Sequence, residues 1–401
     1  LLTDIAPGAT SGSPSGFTEQ AGILVFAATT TANGREPWRT DGTPAGTFQV
    51  ADLAPGTGSS NPRGFAPVRG ALWFGAVGPG IGEELYRTDG TATGTKLLVD
   101  LIPGSSSTVP TAITAFRDGV VMTAAYGGFA NEPVFTDGTF ANTVLLADTF
   151  PSASNSNPGQ WTDLGSDVFF TAAANGVGNE PHRTDGTFAG TALIADVLPG
   201  SFGSNSQSRA SVGNRVFFHA DLFTSGEHLM VTDGTPAGTI QLTSGAPQVL
   251  PRGIVAFGGG VVFSGESATN GRELWVSDGT PAGTLQLADV NPGAADAFAL
   301  FTENFTVLGS QVFFAANDGT HGQELWVSDG TVAGTHLVTD LNAGAFSSSP
   351  TSMVALGGWL YFIGQGTGVG TEIWRTDGTA ANTQLVADVW AAPVSSFPPN
   401  L

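Results

Sequence analysis

One phrase recurs eight times in this chain, fullest as Glu273-Leu274-Trp275-Val276-Ser277-Asp278-Gly279-Thr280, and its spacing limits the folds open to the sequence. Its aspartate falls at Asp41, Asp89, Asp137, Asp185, Asp233, Asp278, Asp329 and Asp377, at intervals of 48 residues except for 45 and 51 on either side of Asp278. A period of this length, sustained from end to end, means one supersecondary unit per copy. Length alone would suggest two or three domains; the repeat argues instead for a single domain over 1–401.

The units are built from strands. Gly contributes 57 residues and Pro 24, while charged residues make up only 12 per cent, about half the usual share. In the seventh repeat, alternation and turn residues predict strands over Asn304–Leu308, Gln311–Ala316, Glu324–Ser328 and Thr335–Asp340. A Gly309-Ser310 turn joins the first two, and Asp329–Gly334 joins the last two. A Gly/Ser/Pro-rich crossover then leads to the next copy. Such a unit is too long for one solenoid coil, and too core-poor to stand alone or in a row of separate small domains. Four-stranded units packed face to face bury each other, which selects an eight-bladed all-β propeller over a β-sandwich.

Leu1-Leu2-Thr3-Asp4-Ile5-Ala6-Pro7-Gly8 repeats the fourth-strand phrase of Leu97–Gly104, yet Gln384–Asp388 supplies that phrase for the last repeat. Eight places cannot hold nine copies, so one terminal segment is expected to be displaced or to form an extra outer strand.

The phrase resembles the ELW-x-x-DGT repeat family of bacterial secreted and surface proteins, over essentially the whole chain. Three copies carry it strictly or nearly so, at Glu273-Leu274-Trp275, Glu324-Leu325-Trp326 and Glu372-Ile373-Trp374. Elsewhere Pro37, Pro133 and Pro181 replace Leu, and Tyr86, Val134, His182 or Met230 replaces Trp. The resemblance implies extracellular placement and no settled activity.

The Asp-Gly-Thr-x-x-Gly-Thr segment is read as hairpin scaffold, its aspartate accepting turn amides and its glycines taking positive φ. The residue at the Trp position is expected to pack between neighbouring sheets. A glutamate opens the third strand at Glu36, Glu84, Glu132, Glu180, Glu273, Glu324 and Glu372, with His228 in the fifth copy. The fourth strand ends on Asp4, Asp52, Asp100, Asp148, Asp196, Asp289, Asp340 and Asp388, with Ser244 in the fifth copy. Hairpin pairing brings each glutamate to the rim where this aspartate lies.

Paired carboxylates need amides or a cation. Two readings follow: the glutamate bonds amides and the aspartate caps the crossover, or Ca²⁺ sits at the pairs Glu36/Asp52, Glu84/Asp100, Glu273/Asp289 and Glu324/Asp340. The fifth repeat breaks the pattern with His219, Asp221, Glu227, His228 and Met230. His219 and His228 are therefore candidate ligands for a transition metal. His182, His321 and His336 are read as ordinary surface or strand residues.

No Gly-x-Ser-x-Gly elbow, nucleotide-binding lysine loop or His-Glu-x-x-His segment is present. A net charge of −21 excludes nucleic acid as a partner and anionic membrane as a docking surface. No apolar run reaches the ~18 residues of a membrane span. The absence of cysteine removes disulfides without fixing a compartment. A first residue of Leu1 rather than Met is read as a leader or preceding segment removed, with the protein secreted or at the cell surface.

The leading functional reading is a non-enzymatic extracellular binding or structural module presenting a loop-rich face to a glycan or protein. The loops Ser59-Ser60-Asn61-Pro62, Ser105-Ser106-Ser107 and Ser347-Ser348-Ser349 are its candidate polar contacts, while Trp161 and Trp390 near crossovers are read first as core packing and second as stacking on sugar rings. The alternative is a propeller enzyme, a glycan lyase or hydrolase or a quinoprotein-like oxidoreductase, with its site in the central channel or in the fifth repeat.

Overall fold

The computed structural model describes residues 2–8, 11–151, 155–223, 226–243, 249–267, 269–299 and 304–387. It is all-β, with the expected eight-bladed propeller architecture: eight four-stranded antiparallel sheets, each a meander of consecutive strands, one per repeat. In the seventh sheet the strands are Thr306–Leu308, Gln311–Asn317, Gln323–Ser328 and His336–Thr339, within two residues of the predicted bounds. By contacts the chain falls into two compact units, Leu1–Trp161 with Ser166–Gly203, and Thr162–Gly165 with Ser204–Leu401. Leu2–Gly8, the surplus copy of the fourth-strand phrase, forms no strand, and Gln384–Ala387 is the fourth strand of the eighth sheet. Asp388, Trp390 and Ser244 lie outside the described residues.

Side-chain alternation explains the packing. The second strand of every sheet is apolar on both faces, as in Phe169-Phe170 and Phe313-Phe314, all at most 1 per cent exposed. Within the first unit, Trp73, Leu85 and Leu101 of sheet two and its crossover meet Ile113, Val120, Met122 and Val134 of sheet three. Within the second unit the Trp position does the same. Trp275 packs with Phe217 and Leu229 of the fifth sheet, Trp326 with Leu274 and Val290 of the sixth, and Trp374 with Phe313 and Leu325 of the seventh. Each large apolar side chain so buried contributes about 1.5–3 kcal/mol.

The repeated hairpin between strands three and four is a closed set of local bonds. Asp41 Oδ1 accepts both the amide of Thr43 at 2.9 Å and its hydroxyl at 2.7 Å. Thr43 Oγ1 then accepts the Gly46 amide, and the Thr47 hydroxyl donates to Thr43 O. Gly42 turns the chain at φ 86°. Gly46 is required for a different reason: a Cβ there would lie 2.0 Å from Asp41 Oδ1. In the third and eighth sheets Asn142 and Asn382 occupy this position, and each amide reaches the other carboxylate oxygen at 2.7 Å.

The same crowding holds at Gly334, whose Cβ would meet Asp329. Gly334→Ala is expected to cost at least about 1 kcal/mol, because it displaces the carboxylate and returns no bond, while Gly334→Asn costs less by restoring one. Urea unfolding of the two variants checks this order.

Candidate functional site

The repeated glutamates are buried, at 0–1 per cent exposure from Glu36 through Glu372. From Glu36 through Glu324 each reaches over the end of its own sheet to the crossover that follows. Glu36 accepts the amides of Leu53 at 2.9 Å and Ser60 at 2.8 Å, and the Ser60 hydroxyl at 2.6 Å. Ser60 O in turn accepts the amide of Val77, on the second strand of sheet two. One carboxylate thus fixes the crossover, and the crossover pairs with the next sheet. Glu84 with Thr108, and Glu324 with Ser348, repeat the arrangement.

The preceding residue is held as well. The amides of Arg35, Glu83 and Gln323 donate to Ser59, Ser107 and Ser347, each at 2.9 Å. These crossover serines therefore serve the fold. Ser60, Ser156 and Ser348 are at most 1 per cent exposed, and Trp161 packs on Phe170 with ring centroids 4.6 Å apart.

The fourth-strand aspartates lie at the same rim but do other work. Asp52 and Asp340 accept the amides of Gly56 and Gly344, capping the crossover turn. Asp52 and Asp289 are exposed, while Asp100 and Asp340 are half-buried, each with a buried Oδ1 that has no hydrogen-bond partner among the described residues. Their charges act on Glu84 and Glu324, whose pKa burial already raises. No group of three or more His, Asp or Glu side chains able to hold a metal occurs among the described residues.

The sixth sheet tests how much the hydroxyl matters. Ala297 stands where Ser60 stands in the first crossover, leaving Glu273 with amide donors from Val290 and Asn291. Burial there pushes the Glu273 carboxyl up to about 8. A carboxyl whose folded pKa lies above its unfolded one stabilises the fold below the unfolded value, and that contribution fades as pH rises through the folded value. Stability is therefore expected to fall between pH ~4.5 and ~8. Ala297→Ser should lessen the fall and add roughly 1 kcal/mol at neutral pH, checked by thermal melts across that range.

The fifth sheet departs from its neighbours. His228 takes the glutamate's place, buried, with Nδ1 3.3 Å from Thr243 Oγ1. In the strand register His219 opposes Leu229 and Ala220 opposes His228, so the two histidines project to opposite faces of the sheet. His219 instead joins a polar cavity of about 310 Å³ lined by Asn205, Gln207, Ser208, Asp221, Glu227 and Arg252. Its Nε2 lies 3.0 Å from Glu227 Oε2, and Arg252 Nη2 lies 2.5 Å from the same oxygen, both as ion-pair contacts. The His219 contact, reinforced by Arg252 and opposed by burial, holds the Glu227 carboxyl down at about 2. Sequence reading marked His219, Asp221 and Glu227. It missed Arg252 and Ser208, which belong to the next repeat's first strand and to the incoming crossover; only the tertiary fold brings them to this cavity.

The remaining histidines are accounted for locally. His182 is buried and stacked on Phe170, its pKa lowered by burial, and His321 pairs with Asp318 at 2.7 Å. His336 is an exposed strand residue.

No family model matches the chain, and no curated protein matches it. Among solved structures it resembles a puromycin hydrolase at 13 per cent identity and TM-score 0.42, over 82 per cent of this chain and 54 per cent of that one. A prolyl endopeptidase structure aligns at 13 per cent and 0.46, over 88 and 54 per cent. BamB from Moraxella catarrhalis aligns at 10 per cent and 0.44, over 93 and 98 per cent. The chain spans about half the length of those two peptidases. The expectation of a non-enzymatic module is corrected here, since the solved structures that resemble the chain include peptidases. At these identities the likeness is one of fold. No helix among the described residues is long and apolar enough to cross a membrane, which says nothing of a β-barrel.

Proposed function

We propose that the cavity of the fifth sheet is a hydrolytic site in which His219 moves a proton. The observation that carries this reading is the pairing of His219 with a carboxylate that stays ionised to about pH 2 and is itself anchored by Arg252. An ionised Glu227 at Nε2 favours the tautomer with its proton on that nitrogen, leaving Nδ1 as the basic atom. The Nε2–Glu227 contact is an ion pair at 3.0 Å rather than an aligned hydrogen bond, since Nε2 and Glu227 Oε2 have no hydrogen-bond partner among the described residues.

The same carboxylate argues against glycoside hydrolysis. That chemistry needs one carboxyl raised to act as an acid, and Glu227, cross-strand from Asp221, is lowered instead. Acyl transfer to water fits better, with His219 as general base. Glu227 and Arg252 orient the ring rather than act on substrate. Membership of the ELW-x-x-DGT family, placement outside the cytoplasm, and a protein or glycan partner belong to the same proposal. The recurring phrase supports the first two, and a net charge of −21 favours a cationic over an anionic partner.

The full chain should hydrolyse p-nitrophenyl acetate faster than buffer alone. His219→Gln should lower kcat/KM by about 10²–10⁴, while His336→Gln, an exposed histidine on another sheet, should leave it unchanged. Equal loss in both variants, or none in either, removes His219 from the role.

A second reading concerns stability. Ca²⁺ at Glu84/Asp100 and Glu324/Asp340 is supported by the bare Oδ1 atoms of Asp100 and Asp340; such an ion takes its other ligands from backbone carbonyls and water. EDTA should then lower the melting temperature, and an unchanged melt removes the ion.

A further inference from the structure

Sheets one, two, three, six and eight share an irregularity that sheet five lacks. In each of the five the pairing of strands one and two shifts by a residue, at Ser15/Thr18, Arg63/Ala66, Val121/Thr123, Arg252/Val255 and Thr351/Val354. The extra residue is left-handed: Gly16, Gly64, Ala112, Gly253 and Ser352, at φ 49–70°. In the fifth sheet Arg209–Val212 pairs with Arg215–Phe218 without a shift, and the ladder continues as His219 N donates to Ser208 O at 2.9 Å. Losing the bulge moves the register by one residue and changes which side chain stands opposite. The residue opposite His219 is therefore Ser208, and both side chains line the cavity. Directly opposed side chains have Cβ atoms about 4.5–5.5 Å apart.

Resting on the hydrolytic reading above, we infer that Ser208 is the nucleophile of this site. Ser208 Oγ accepts the Ile254 amide at 3.3 Å, which leaves its own proton free to donate. A serine hydroxyl becomes a nucleophile when an adjacent base takes that proton, and the base is efficient when a third group orients it. His219 Nδ1 is the acceptor and Glu227, held by Arg252, the orienting group.

The chemistry closes without another reactant than water. Ser208 Oγ bonds to the acyl carbon as its proton passes to His219. The leaving alcohol or amine departs with that proton, giving an ester on Ser208. A water deprotonated by His219 then attacks the ester, and the proton returns to Ser208 Oγ. The substrate class is an ester or amide small enough for a cavity of about 310 Å³.

The test is labelling of the full chain with a fluorophosphonate, read by intact mass and peptide mapping. One adduct is expected, on the peptide containing Ser208. It should be absent in Ser208→Ala and at least tenfold slower in His219→Gln, with circular dichroism unchanged in both. No adduct, or one on another residue, overturns the assignment. So does p-nitrophenyl acetate turnover that survives in Ser208→Ala; if that turnover is lost in His219→Gln, His219 activates water directly and the hydrolytic reading stands without its nucleophile. Absence of turnover in the unaltered chain overturns both.

Discussion

A carboxylate removed from water must find donors or give up its charge. In this protein donors come from the backbone of the segment that leaves the sheet. Glu36, Glu84 and Glu324 each gather amides seventeen and twenty-four residues ahead, together with a Ser or Thr hydroxyl, and thereby give a Gly/Ser/Pro-rich crossover one conformation. That conformation presents a carbonyl to the second strand of the following sheet, as Ser60 does to Val77 and Ser348 to Gln365. Apolar side chains at the Trp position fill the space so defined. The hydrophobic contacts contribute more energy, but the carboxylate determines the register at which they meet.

Much of this was legible in the sequence, for reasons that differ from residue to residue. The hairpin aspartates were readable because every bond of Asp41 falls within Thr40 to Thr47, so local chemistry suffices. The strands of the seventh repeat were readable because one apolar stretch of Val312-Phe313-Phe314 is flanked by turns. The glutamate was recognised at the rim, but its true partners were ambiguous. Asp52, sixteen residues from Glu36, and Ser60, twenty-four residues from it, are equally polar in sequence, and only the folded crossover brings the second one inward. Serine-rich loops that look made for a ligand are in fact turned toward the protein.

The fifth sheet shows the converse. Its histidines were conspicuous as a pair, yet strand alternation separates them, and only His219 meets the carboxylate at Glu227. Ser208 could not be found by pattern. Its position depends on a bulge that is missing, and absence of an extra residue in one register leaves no compositional trace. Arg209, in the same stretch, takes the place held by Phe65, Ile113 and Ile254 in other sheets and is half-buried, its pKa lowered to about 10 by desolvation. Its guanidinium bonds the carbonyls of Ser206 and Gln207, in the segment that runs without the bulge found in other sheets.

The glutamate's reach has a direction. In the first, second and seventh sheets its donors lie later in the chain, so such a sheet emerging from a ribosome carries an unmet carboxylate until some twenty-four further residues have followed. Completion of each such sheet is thus tied to synthesis of the connection beyond it, and the array matures from its amino-terminal end in steps of one repeat. A ribosome stalled just short of a crossover would hold a nascent chain whose last sheet is formed but unlocked, and that sheet would be the one a chaperone or protease meets first.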